Sequence, residues 1–159
     1  MGKWCICKRN LQYPPICRYE GSFKFDDVIG SGDWELHGHG VELHYRTNKN
    51  YKNNNVIGHV KGIFEGGSLV VGEILNPSLI EYSEHKGIKK IIVQKANIRK
   101  VFDKDFDAEI NISFGEIFYD DGAHYKGELE HDLPYGTGTM TLADGNKKTC
   151  HWIYGNMQE

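Results

Sequence analysis

Apolar side chains in this chain recur mostly at every second position. Ile117 and Tyr119, Met140 and Leu142, and Tyr125 and Leu129 each fall on one side of an extended backbone, as the two-residue period of a strand requires. Between such runs stand Asp121-Gly122 and Asp144-Gly145, dipeptides that favour tight hairpin connections. Gly127, between Tyr125 and Leu129 on the same side, leaves room for an aromatic ring from a neighbouring strand to lie against the backbone. Together these features predict an almost all-β chain whose hairpins follow one another in a single curled antiparallel meander.

The pattern repeats. Tyr125-Lys-Gly127-Glu-Leu129 through Gly136-Thr-Gly138 aligns without a gap on Tyr19-Glu-Gly21-Ser-Phe23 through Gly30-Ser-Gly32. Asp120-Asp121-Gly122 through Leu129 aligns on Glu65-Gly66-Gly67 through Ile74, with Val70 in the tyrosine place and Gly72 under Gly127. Gly115 through Gly122 aligns on Gly138 through Gly145, and the same displacement puts Cys150 under Gly127 and Trp152 under Leu129. A weaker copy begins at Tyr51-Lys52-Asn53 and ends at Gly62. Between Ile74 and Ile112 the glycine period lapses. There Ile88, Ile91 and Ile92 have helical spacing, but the β-branched run Ile91 to Val93 favours an inserted strand or hairpin over residues 85–102.

The unit Gly-x-Gly-x-apolar-x-apolar-x-Asp-Gly-x-x-Tyr-x-Gly-x-apolar resembles the MORN repeat (membrane occupation and recognition nexus). It runs best from Gly115 through Gly145 and more loosely from Tyr19 to Gly40 and from Tyr51 to Ile74. The resemblance implies one domain over residues 1–159: an extension at 1–18, degenerate repeats at 19–74, an insertion at 75–112, and the best repeats with a closing cap at 113–159. It implies a non-enzymatic interaction or scaffold module, an accessory subunit whose partners are other proteins of a larger assembly or further copies of itself. The repeat brings no catalytic residues with it. Tyr19, Tyr51 and Tyr125 are the repeat-face aromatics, with packing inside the array weighed against partner contact.

Composition narrows this further. The chain has 159 residues and 19 glycines, a share above the usual ~7%, which the repeat accounts for. A net charge of -3 argues against general nucleic-acid binding. No apolar run is long enough to span a bilayer, and the opening MGKWCICKRN has no secretory apolar core, so an intracellular protein is expected. Met1-Gly2 suggests myristoylation, but Ile6 stands where Ser or Thr is needed. Cys5, Cys7, Cys17 and Cys150 lack zinc-ligand spacing and read as free thiols.

Three clusters carry candidate chemistry. His37 and His39 share a strand face and could line the site of a small β-fold hydrolase, but no third metal ligand follows them in sequence, and solvent-facing polar histidines are expected; His44 falls on the other face. Asp103-x-Asp105-x-Asp107 starts like a calcium loop, but Ala108 and Phe114 replace the glycine and glutamate such a loop requires. No cofactor or metal is expected. Lys86, Lys89, Lys90, Lys95, Arg99 and Lys100 form a basic stretch, followed by seven acids over residues 103–121. Paired as neighbouring strands the two segments complement each other; turned outward, the first is a patch for an anionic membrane surface or an acidic partner.

Overall fold

The computed structural model describes residues 17–26, 33–45, 56–80 and 85–158. Tyr51, Cys5, Cys7, Gly30 and Gly32 lie outside the described residues. The strands are β1 (Cys17–Asp26), β2 (Asp33–Tyr45), β3 (Val56–Glu65), β4 (Ser68–Leu75), β5 (Ile88–Asp103), β6 (Ala108–Tyr119), β7 (His124–Glu130), β8 (Leu133–Thr141), β9 (Lys147–Ile153) and β10 (Asn156–Gln158), with one helical turn, α1 (Pro77–Ile80). They form one antiparallel sheet in which each strand pairs with the next in sequence, β1 to β10, and which does not close into a barrel.

The registers show what organises the sheet. A straight line of cross-strand partners runs Gly21, Gly40, Gly62, Gly72, Val93, Gly115, Gly127, Gly138, Cys150. Beside it runs a second line: Tyr19, Glu42, Val60, Ile74, Ile91, Ile117, Tyr125, Met140, Lys148. Positions two apart along a strand share a face, so glycines and large side chains lie together on the inner side. Ile74, Ile88, Ile91, Val93, Ile117, Tyr125, Leu129 and Trp152 form the core cluster there.

Tyr19 and Tyr125 cover the glycine row at Gly21–Gly40 and at Gly127–Gly138. A methyl group added at Gly138 would overlap the Tyr125 ring and hydroxyl, and one at Gly40 would overlap those of Tyr19. Each ring thus lies flat on backbone that only glycine leaves bare. Each hydroxyl donates to the carbonyl three residues on, Tyr125 to Glu128 O at 2.8 Å and Tyr19 to Ser22 O at 3.2 Å. Neighbouring rings close on them edge-on: Trp152 on Tyr125 and Phe64 on Tyr19, both with centroids 5.5 Å apart. Such pairs contribute about 0.5–1.5 kcal/mol beyond their burial. Trp152 Nε1 also donates to Gly138 O at 3.2 Å.

Three sequence expectations change in detail. The ungapped repeat alignment matches Gly138 with Gly32, but the glycine that faces Gly21 across the sheet is Gly40, because the β1–β2 connection is longer than the β7–β8 turn. The alignment of Val70-Val-Gly72 on Tyr125-Lys-Gly127 finds the right glycine in a strand that runs the opposite way, so Ile74, not Val70, stands in the tyrosine line. The lapse in the glycine period is not a break in the sheet: β5 and β6 continue it, with Val93 in the glycine line. The 85–102 stretch is strand from Ile88 onward, as its β-branched residues favour. Its extra length becomes α1 and an overlong β5–β6 hairpin, bulged between Val93 and Arg99.

Candidate functional site

The overlong hairpin reaches to the far strands. Arg99 donates from Nε and Nη2 to the two Glu128 carboxylate oxygens at 2.6 and 2.9 Å, and the Thr137 amide donates to the same carboxylate at 2.8 Å. These bonds hold the Glu128 carboxyl below its ordinary range, Arg99 first among them. At the tip, Asp103 Oδ1 accepts from the amides of Asp105 and Phe106, while Tyr154 Oη donates to Asp103 Oδ2 at 2.7 Å. The Tyr154 bond leads in lowering the Asp103 pKa.

Between this hairpin and the N-terminal strands lies a groove of about 710 Å³ on the inner side of the sheet. Its floor is apolar, with Val60, Phe64, Leu69, Ile74 and Leu129. Glu42 and His44 of β2 form one wall; Asn97, Asn111 and Ser113 of β5 and β6 form the other, with His131 and Asp132 of the β7–β8 turn at its end. The β3–β4 turn closes the rim with Glu65, held there by the Gly67 amide bonding Leu36 O at 3.2 Å. His44 Nε2 is 2.8 Å from Glu42 Oε1 and is buried. Its approach is off the hydrogen-bond direction, so the contact is an ion pair whenever the imidazole is protonated.

The β7–β8 turn is unusual. His131 and Asp132 both have positive φ, 45° and 61°, as a two-residue hairpin turn of matching twist demands, yet neither is the glycine or Asn-Gly that adopts it at least cost. Burial raises the Asp132 carboxyl pKa, with His85 and His131 pulling the other way. Next to it Glu130, 4% exposed, has its pKa raised by burial and by Asp103 and Asp132; its Oε1 lies 3.3 Å from His131 Nδ1, and its Oε2 has no hydrogen-bond partner. Buried His85 places Nε2 3.1 Å from His131 O.

The residues singled out from sequence are scattered by comparison. Tyr19 and Tyr125 are 2% and 0% exposed, each inside its own copy of the repeat. His37 and His39 are both exposed, and β2 contributes Glu42 and His44 to the groove, not those two. Among the described residues no group of three His, Cys, Asp or Glu is placed to hold a metal ion. Lys86, Lys89, Lys95 and Lys100 are exposed, but Lys90 lies over the Phe118 ring at 4.9 Å, Arg99 is bound to Glu128, and Lys100 pairs with Glu109 at 3.5 Å. Glu42 and His44 stood in the segment the sequence marked, on its unmarked face. Asp132 matches Asp26 in the repeat alignment but was not marked as part of a site, and Asn97, Asn111 and His131 were not marked at all, because only the bulge and the turn bring the four together.

No protein-family model matches the chain, and no curated protein matches it either. No helix among the described residues is long and apolar enough to cross a membrane.

Proposed function

We propose that this chain is a non-enzymatic, MORN-like interaction module, an accessory subunit of a larger protein assembly. The observation that carries this reading is the twice-built unit in which a tyrosine lies on a pair of facing glycines and bonds the carbonyl three residues on, at Tyr19 and at Tyr125. It supports the reading because two copies of the sequence unit within this chain pack in the same way. The unit consumes its own aromatics, so the surface left for a partner is the groove and the outer face. Affinity purification of the tagged full chain from its own cells tests this: a partner is expected at near-stoichiometric yield, and a monodisperse monomer with none would overturn it.

A second reading rests on the exposure of Lys86, Lys89 and Lys95 along one stretch of chain: binding to an anionic membrane surface. Liposome flotation should then weaken steeply with salt and with neutral substitutions at those three lysines. Absent or salt-insensitive flotation would remove this reading.

A further inference from the structure

The groove has a definite charge. Its acidic side chains are Glu42 and Glu65 on one side and Asp132 on the other; the histidines His44 and His131 stand beside them, and no lysine or arginine is among the described residues that line it, in a chain with 19 of them. Low-dielectric walls focus the field of such a set into the cleft. The exposed part of the floor is aliphatic carbon of Val60 and Leu69, over buried Phe64, Ile74 and Leu129, and Asn97, Asn111, Ser68 and Ser113 supply amide and hydroxyl groups around it. The volume, about 710 Å³, lies inside the ~300–1,000 Å³ range of ligand sites. A fully polar cation would leave the floor wet, and an apolar ligand would bury Glu42 and Asp132 against carbon. An occupant that satisfies both has alternating character, with side chains that lie on the partly exposed Val60 and Leu69 and ammonium or guanidinium groups that reach the carboxylates.

We infer that the inner groove is the recognition site for a short extended segment of a protein partner in which lysine or arginine alternates with apolar residues, with Glu42 and Asp132 receiving its cations. The inference rests on the interaction-module reading above and names its ligand class. An ion pair that reaches Asp132 also gives that half-buried carboxylate a cationic partner, beside which stand the imidazoles of His85 and His131.

The test is fluorescence anisotropy of the full chain with a short dye-labelled peptide of alternating lysine and leucine, against a glutamate–leucine peptide of equal length. Binding of the first alone, weakening with salt, is expected. Glu42→Gln and Asp132→Asn should each weaken it roughly tenfold, the scale of one charge-assisted contact, while Lys95→Gln leaves it unchanged. Should Glu42→Gln fail to fold, because His44 is buried against it, Asp132→Asn carries the comparison, with thermal melting as the check on folding. No binding, equal binding of the acidic peptide, or indifference to Asp132→Asn would overturn the inference. A partner captured from cells by both wild type and Asp132→Asn would leave the module reading standing and this site refuted; peptide binding without any captured partner would do the reverse.

Discussion

At the scale of single residues, the tyrosine–glycine contacts set the sharpest expectations. Gly138→Ala drives a methyl group into the Tyr125 ring, which is fully buried and cannot retreat; a loss of about 2–4 kcal/mol is expected in urea unfolding. Tyr125→Phe keeps the ring and loses only the bond to Glu128 O, so about 1 kcal/mol is expected. A Gly138→Ala loss no larger than the Tyr125→Phe one would show that the ring is free to move. Acid sensitivity follows from carboxyls shifted in opposite directions. Glu130 and Asp132 are raised by burial, so the folded state holds their protons more tightly than the unfolded chain, and their penalty is relieved as pH falls toward the folded values. Asp103 and Glu128 are lowered, so their contribution is present above about pH 4 and is lost as pH falls through their folded values. Stability should therefore rise from neutral pH into mild acid and then drop. Glu130→Gln should flatten the rise, adding on the order of 1 kcal/mol at neutral pH and nothing in mild acid; a steady fall from neutral pH downward would contradict this. The tyrosines and glycines were legible in the sequence because close packing demands those residue types. The carboxyl shifts were not, since burial is a property of the assembled sheet.

Among the elements, the β5–β6 hairpin departs most from the repeat. Sequence marked it as an insertion and its β-branched run as strand, but the bulge that turns it has only a weak signature: Lys95 to Ile98 contains neither glycine nor proline, and Asn97 takes the positive φ of 53° there. Its distal half is fastened at two points, Arg99 to Glu128 and Tyr154 to Asp103, while Phe106 at the tip is 68% exposed. Tyr154→Phe releases the second fastening. Hydrogen exchange over residues 97–110 should then speed up with little change from Gly115 through β8, where Ile117, Tyr125 and Leu129 anchor the core. An equal increase through β7 would show that the hairpin and the sheet open as one unit. The β7–β8 turn offers the reverse experiment. Asp132→Gly relieves a positive-φ residue and removes a raised carboxyl, so stability should increase by about 1 kcal/mol. On the groove reading the same change costs ligand affinity, a trade between stability and function placed in one residue.

Taken whole, the molecule is a ribbon of strands in which each contacts its sequence neighbours, so every pairing is local along the chain although the sheet is ten strands wide. The all-β class and the meander order were readable from turn dipeptides and alternation because neighbouring hairpins need no long-range information. The groove was not, since its two walls come from residues 53 to 71 positions apart and meet only when the ribbon curls. The glycine line has one more consequence. Its members stand at irregular sequence intervals, at 21, 40, 62, 72, 115, 127 and 138, yet they fall on one straight track across the sheet. Hairpins can lengthen beyond the track, as β1–β2 and β5–β6 have, without disturbing it. A saturation mutagenesis map of this protein should thus show a single intolerant stripe at right angles to the strands, broken at Val93 and ending at Cys150, the point beyond which no further ring needs a bare backbone to rest on.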